Sequence, residues 1–526
     1  MIARRTFLAA SAAMAALPLQ ACAKTADRTQ ILDTMKRATK FMVDKIAYRG
    51  GYLWSYLPDR SRVWGELEAH KSMVWVQPPG TATMGHLYLD AWHATGDESY
   101  YEAAALAAGA LIDGQLPKGG WHYFIDFGGA ESTQRWYDTI GKNAWRLEEF
   151  QHPWGNATFD DGGTGEAIRF LTRIFVAKGD AKFRPGLDKA INFVLESQLE
   201  NGGWPQRWPG VADGGLHGKP DYTGLITFND GVIADNIDVL LTYHQAIGDP
   251  RILPAIRRGM DIYIACQQAA PQAGWGLQHT FDLKPAGART YEPKALVTHT
   301  TASNIEQLMS FYRLTGDAKY LAGIPAAFDW LESVRLPAEL QIGGRQFPTF
   351  VEIGSNKPLF VHRRGSNVVN GEYYADYDAA NTIGHYNARR SIDVPKLRAE
   401  YAKLKAMPGA EAAKDSPLLK ERQPLKKLWL AEVDPGSDKN SVKDGMDAPA
   451  LAAALNAEGW WPTQLQSMSH PYTADGSATI TPGDYRSTDV GDITDTSPFD
   501  TEDGPVAIST GTFINHMITL MKALQA

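Results

Sequence analysis

The sequence predicts an all-α chain wound into an (α/α) toroid, complete or partial, with long aromatic- and Gly-rich loops at one mouth. Three observations predict it. A Gly-Asp pair recurs four times, a glycine turn follows each pair at a near-constant distance, and the stretches around them carry helical rather than alternating patterns.

The pairs are Gly96-Asp97, Gly179-Asp180, Gly248-Asp249 and Gly316-Asp317, in steps of 83, 69 and 68 residues. The turns are Gly119-Gly120-Trp121, Gly202-Gly203-Trp204, Gly274-Trp275 and Gly343-Gly344. Phe183, Leu187, Ile191 and Leu195 recur every four residues, and Ile233, Ile237, Leu240 and Leu241 draw a one-sided stripe, as do Ile305, Leu308, Met309 and Tyr312. Glycine stops a helix and aspartate caps the next, so each Gly-Asp reads as a tight link between two antiparallel helices. Such pairs stack into a ring or an open solenoid, with equivalent loops on one face. Residues 28–400 are read as this domain. Residues 401–526 are read as its C-terminal elaboration: a linker over 415–449, a helix and aromatic loop over 447–461, and a closing helix over 511–526.

Hydrophobic residues make up 44% of the chain and charged residues 21%, enough to bury a sizeable core. A net charge of −8 argues against nucleic acid as the main partner. It leaves room for an acidic polysaccharide, because a local cluster of cations or a metal reverses the sign inside a cleft. Fifteen Trp and 49 Gly suit loops that stack on sugar rings, and Trp204 is assigned to substrate on that ground.

Residues 1–22 read as an export signal. Arg4-Arg5-Thr6-Phe7-Leu8 precedes an apolar run through Leu19, and Leu19-Gln20-Ala21-Cys22 resembles a lipoprotein cleavage box. The expectation is twin-arginine export to the periplasm, or to the outer membrane with a lipid anchor on Cys22. Cys266, the other cysteine, sits on an apolar helical pattern and is expected in the core, without a disulfide. The chain is expected to be a monomer.

Three loops carry chemistry. The first is Thr158-Phe159-Asp160-Asp161-Gly162-Gly163-Thr164, and the second is Gly224-Leu225-Ile226-Thr227-Phe228-Asn229-Asp230-Gly231. Their shared Thr-Phe-(Asp or Asn)-Asp-Gly element recurs after 69 residues, close to the repeat step, so both loops should line one mouth. The third loop contains Lys284, Arg289, Thr290, Tyr291 and Glu292. Carboxylates with an Asn amide suit a hard cation such as Ca2+, and Asp160, Asp161 and Asp230 are the candidate ligands. An aspartate doublet is strongly repulsive when desolvated unless a cation or a proton relieves it. His279 either touches substrate or orients its loop.

These loops, with Gly202-Gly203-Trp204-Pro205-Gln206 and Phe350-Val351-Glu352-Ile353-Gly354-Ser355-Asn356, resemble the pectate lyases of polysaccharide lyase family ten over roughly residues 39–401. The resemblance implies an (α/α) toroid, calcium, and β-elimination of polygalacturonate or oligogalacturonides. It implies that Asp160 and Asp230 are acidic metal and substrate residues and that Arg289 is the base. It further implies that Lys284 and Arg363 hold uronate carboxylates; Asn229, Trp204, Tyr291 and His279 are further candidate substrate contacts. Two departures stand out. Asp161 stands where the family has Asn, and Thr349 stands where it has an arginine. The reaction removes the proton at C5, α to a carboxylate, and expels the glycosidic oxygen at C4, so cations must hold the developing charge. Two alternatives remain at this level: an inverting glycoside hydrolase with Asp160 or Asp161 and Asp230 as its acid/base pair, and a non-catalytic pectin-binding lipoprotein.

Overall fold

The computed structural model describes residues 27–141, 148–210, 220–364, 372–383, 387–420, 422–429, 436, 438–469, 498–500 and 504–525. The export segment with Cys22 lies outside them.

Helix α1 (Arg28–Phe41) precedes the first repeat. Helix α2 (Thr81–Thr95) ends on Gly96, and Asp97 caps α3 (Glu98–Asp113) by accepting the Ser99 N–H. Helices α4 (Ala130–Thr139) and α5 (Glu148–Gln151) lie in the long connection that follows. Helix α6 (Gly163–Lys178) ends on Gly179, and Asp180 accepts the Lys182 N–H ahead of α7 (Arg184–Ser197). Helix α8 (Val232–Ile247) ends on Gly248, and Asp249 accepts the Arg251 N–H ahead of α9 (Ile252–Cys266). Helix α10 (Thr298–Thr315) ends on Gly316, and Asp317 accepts the Lys319 N–H at the start of α11 (Lys319–Ala322), which leads into α12 (Ile324–Ser333). All four glycines are left-handed, with φ of 67° to 80°, a conformation that costs an L-residue about 1–2 kcal/mol. The predicted helix links are therefore all present.

Helices α13 (Val394–Lys405) and α14 (Gly409–Ala412) pack on α10. Helices α15 (Ala448–Ala454) and α16 (Thr510–Gln525) pack on α1, and α16 also lies beside α2. The inner layer runs α16, α2, α6, α8, with α10 facing the same axial space, and α3, α7, α9 and α12 lie outside it. This is an (α/α) toroid. Inner helices are covered on both sides. Residues 81–91 of α2 are all buried, so its sequence lacks a strong one-sided stripe. One core runs from Ile31 to Met521 and includes Leu451, Trp461 and Met517 from the C-terminal segment. Cys266 is buried in it as a free thiol. Among the described residues no helix is long and apolar enough to cross a membrane.

The Gly-Trp turns end the outer helices. The indole N–H groups of Trp121, Trp204 and Trp275 donate to the carbonyls of Leu111, Val194 and Tyr263 at 2.8, 2.9 and 2.8 Å. Each satisfies a carbonyl that a helix C-terminus leaves open. Trp461 repeats the contact on Leu451 at 2.9 Å. The backbone beyond each of the first three tryptophans holds the next loop: the N–H groups of Thr158, Thr227 and Val297 donate to Trp121, Trp204 and Trp275. Trp204 is thus fully buried core, and its assignment as a sugar platform is corrected.

Candidate active site

The site forms where inner helices α6 and α8 begin. Each is entered by the same short turn. Asp161 and Asp230 both have φ 49°, and the following Gly162 and Gly231 have φ 68° and 69°. A non-glycine residue in this left-handed region is uncommon and strained, so its recurrence at two equivalent positions marks a built feature. The turns project Asp160 and Asp161 from one repeat and Asn229 and Asp230 from the next. One carboxylate oxygen from each of Asp160, Asp161 and Asp230 lies within 4.8 Å of the others. The positive ends of two helix dipoles face this cluster.

Asp160 is fully buried, and its two oxygens differ. Oδ2 accepts from the Tyr123 hydroxyl at 2.6 Å, the Gln206 amide at 2.7 Å and Arg289 Nη2 at 2.6 Å. Oδ1 is buried with no hydrogen-bond partner. Burial pushes the Asp160 carboxyl up, but Arg289 and the neighbouring donors outweigh it and hold the group below the ordinary carboxylate range. Asp161 goes the other way: burial, then Asp160 and Asp230, push it well above that range. Gln77, from a segment of the chain far from the three loops, donates one amide to both Asp161 Oδ2 and Glu66 Oε2, at 3.0 Å each. Asp230 accepts from Asn229 at 2.8 Å, and Asn229 also donates to Glu292 at 3.2 Å.

Arg289 is 3% exposed and ringed by carboxylates. Its guanidinium lies 2.6 Å from Asp160, 3.2 Å from Glu292, 3.4 Å from Glu149 and 3.5 Å from Asp230. Its own N–H donates to Glu292 Oε2 at 2.9 Å. Glu148, on α5, accepts both the N–H and the hydroxyl of Thr290. Burial pushes its carboxyl up to about 7. The folded state then holds this proton more tightly than the unfolded chain does. The stability it contributes is fully present below about pH 4.5 and is lost as pH rises through 7. Glu148→Gln keeps an acceptor for Thr290, so it should flatten stability between those limits and raise stability at pH 8 by up to about 3 kcal/mol. Melting temperatures of both proteins across that range check this.

Two cavities flank the cluster. Asp161 and Asp230 line an axial cavity of about 1020 Å³, together with Glu166, Arg169, Asp235 and Asp238. The loop that carries Arg289 also borders a cavity of about 500 Å³, walled by Tyr222, Ala288, Thr290, Tyr291, Glu292 and Tyr373. Tyr291 is thus part of the wall of that cavity. Arg363 occupies the strand position opposite Tyr373. Lys284 is exposed on the hairpin that follows His279 and lines neither cavity. His279 is fully buried. Its Nε2 accepts the Gly276 N–H at 3.0 Å, and its Nδ1 donates to the Leu283 carbonyl at 3.1 Å. Of its two readings, loop orientation is the one present, and the substrate assignment is corrected.

Thr349 is also fully buried. Its hydroxyl donates to the Asn387 carbonyl and accepts from Arg390 Nε at 3.2 Å. The position is thus packed against a guanidinium supplied by the next strand. Sequence reasoning missed Tyr123, Gln77, Glu66, Glu148 and Glu149, which lie in segments without the shared motif. Gln206 and Glu292 were visible inside motifs but carried no assigned role.

The sequence pattern of the family described as pectic acid lyase matches residues 126–393, 268 of the 526 residues. No curated protein matches. Among solved structures, a family 10 polysaccharide lyase from Cellvibrio cellulosa is similar at 19% identity and TM-score 0.37, over 56% of this chain and 88% of that one. A mutant family 10 polysaccharide lyase from the same organism, in complex with trigalacturonic acid, is similar at 19% identity and TM-score 0.36, over 57% and 89%. A GH76 α-mannanase from Bacteroides thetaiotaomicron is similar at 12% identity and TM-score 0.38, over 95% and 96%. The match over half of the chain, spanning all three carboxylate- and arginine-bearing loops, makes this chain a member of the pectic acid lyase family and a polysaccharide lyase.

Proposed function

We propose that the protein cleaves α-1,4-polygalacturonate by calcium-assisted β-elimination, releasing unsaturated oligogalacturonides. The observation that carries the metal is Asp160. Its Oδ2 is saturated with donors, while its Oδ1 is buried, without a hydrogen-bond partner, and beside two further carboxylates. Buried polar oxygens are rarely left so, and hard oxygen donors at this spacing fit calcium. Asp160, Asp161 and Asp230 would hold the ion. When bound, calcium supplies a Lewis-acid contact for the uronate carboxylate whose α-proton is removed.

The chain's own residues do the rest. Arg289, in the small fraction of molecules where it is a neutral guanidine, is proposed as the group that takes the C5 proton; the electron pair left at C5 forms the C4–C5 double bond as the glycosidic oxygen leaves C4 and takes a proton from water. Guanidinium is ordinarily always charged, and four carboxylates around Arg289 reinforce that. Carboxylates that share their charge with a cation hold the guanidinium less tightly, which links metal loading to base action. Glu149 and Glu292 keep Arg289 in place, and Tyr123 and Gln206 fix the Asp160 carboxylate in its plane. Aromatic walls at Tyr222, Tyr291 and Tyr373 suit the apolar face of a sugar ring. Asn229, Lys284 and Arg363 are proposed substrate contacts, and Arg390 a source of the cation that Thr349 lacks. The twin-arginine start and the box at Cys22 support export, with a lipid anchor.

The test is product identity over a panel of polygalacturonate, partly esterified pectin and another uronate polymer. Ultraviolet-absorbing unsaturated products from polygalacturonate are expected. Saturated reducing ends would favour hydrolysis by the carboxylates, and binding without turnover would favour a pectin-binding protein.

A further inference from the structure

The far end of the toroid carries a feature that the lyase reaction does not use. Residues 422–429 run as a strap from the C-terminal end of α8 past α6 to the middle of α2, and Leu425, Lys426 and Trp429 also line the axial cavity that holds Asp161 and Asp230. The Gln423 N–H donates to the Gln245 carbonyl at 2.8 Å, and Arg173 Nη2 donates to the Lys427 carbonyl at 3.0 Å. The Trp429 N–H donates to Asp90 at 3.0 Å, and its ring stacks on His86 with centroids 5.0 Å apart. The Arg173 guanidinium also sits over the Trp429 ring, 4.5 Å from its centroid. The strap is therefore pinned at several points rather than draped.

Between strap and helix ends is a cavity of about 440 Å³. Arg422, Lys426, Lys427 and His93 line it, with Arg173, whose guanidinium is paired to Asp90 at 2.5 Å, and among the described lining residues there is no carboxylate. In a chain of net charge −8 this is a local reversal of sign around one part-enclosed space. His93 is kept neutral by burial and by Arg173 and Lys427 beside it, its ring held down to about 4. It is a neutral hydrogen-bonding group among cations. Basic side chains around a part-enclosed cavity focus positive potential, and its size is ample for one or two sugar rings. The cavity lies about 15–20 Å along α6 from the acidic cluster, since its lining runs from Arg173 to Ala177 on a helix that starts at Gly163 and rises 1.5 Å per residue. No single uronate residue reaches both.

We infer that this cavity is a second, non-catalytic binding site for an anionic oligosaccharide, a uronate chain of the class proposed above as substrate. The ligand class rests on the proposed function; the existence of an anion site does not. Such a site would hold a polyanionic chain on an enzyme whose overall charge repels it, raising the local concentration of substrate at the mouth.

The experiment is isothermal titration of the full-length protein in chelator, which separates this site from calcium-dependent binding at the cluster. The probes are trigalacturonate, inorganic phosphate and neutral maltotriose. Trigalacturonate should bind one-to-one, weaken with added salt, and bind at least tenfold more weakly to the Arg422→Ala/Lys427→Ala variant. Both side chains are exposed, so the variant should keep its melting temperature. Asp160→Asn should retain the binding in full, whether or not any lyase activity is found. Lys427→Glu should abolish it. No binding by the wild-type protein, or binding that the double variant leaves unchanged, overturns the site and leaves the cations as partners of the negative helix ends. Phosphate binding as tight as trigalacturonate, or equal binding of maltotriose, overturns the uronate assignment.

Discussion

Arg289→Ala is expected to lower turnover on polygalacturonate by about three orders of magnitude, the upper part of the range for loss of a general base. A second effect should accompany it. Arg289 is the buried cation against which Glu149, Asp160, Asp230 and Glu292 are placed. Removing one partner of a buried ion network leaves uncompensated charge, at a cost of about 3–5 kcal/mol. The variant should therefore melt much earlier than the wild type in chelator, and calcium should restore more stability to it than to the wild type. Arg289→Lys should recover part of the stability and little of the turnover, because an ammonium cannot reproduce the guanidinium fork. Near-normal turnover in Arg289→Ala would move the base to another residue. Steady-state kinetics and thermal melts on the same preparations separate the two effects.

Asp160→Asn should be nearly as damaging, through the metal. The change keeps the shape but removes the charge, and with it the oxygen that has no hydrogen-bond partner in the protein. Calcium affinity should fall by about a hundredfold or more, equivalent to roughly 3 kcal/mol. Turnover should fall even at saturating calcium, because Asp160 Oδ2 also anchors Arg289. Asp161→Asn is the informative contrast. Burial and two neighbouring carboxylates penalise the Asp161 charge. Its removal should raise the melting temperature in chelator while still weakening calcium binding. Calorimetric titration with calcium and melts in chelator measure both. A fall in melting temperature for Asp161→Asn would mean that like-charge repulsion does not dominate there.

The helix pairs were legible because their signals are local. A left-handed glycine and an aspartate cap act within a few residues, and four copies recur in phase. The twin Asp-Gly turns were legible for the same reason, since equivalent repeats place equivalent loops on one mouth. What was not legible depends on contacts distant in sequence. Gln77 reaches Asp161 across 84 residues, Tyr123 reaches Asp160 across 37, and Glu148 reaches Thr290 across 142. None belongs to the repeated motif. Trp204 failed as a sugar platform because the glycine turn that displays it also caps the preceding helix, and the indole is consumed by the Val194 carbonyl. His279 shows the same limit. A histidine beside a catalytic loop reads equally well as ligand or brace, and both of its ring nitrogens turn out to be used by the loop itself. Thr349 marks a third case, since the Arg390 guanidinium packs on its hydroxyl across 41 residues, a contact that no local pattern announces.

The most direct test of the account is the initial rate of unsaturated product from polygalacturonate, followed by ultraviolet absorbance while calcium is titrated into chelator-treated protein. Wild-type protein should be inactive in chelator and recover fully with calcium, and Asp160→Asn should need about a hundredfold more calcium for whatever rate it regains. A wild-type rate unchanged by chelator, or an Asp160→Asn variant with the wild-type calcium response, would contradict a calcium-assisted elimination centred on Asp160, Asp161 and Asp230.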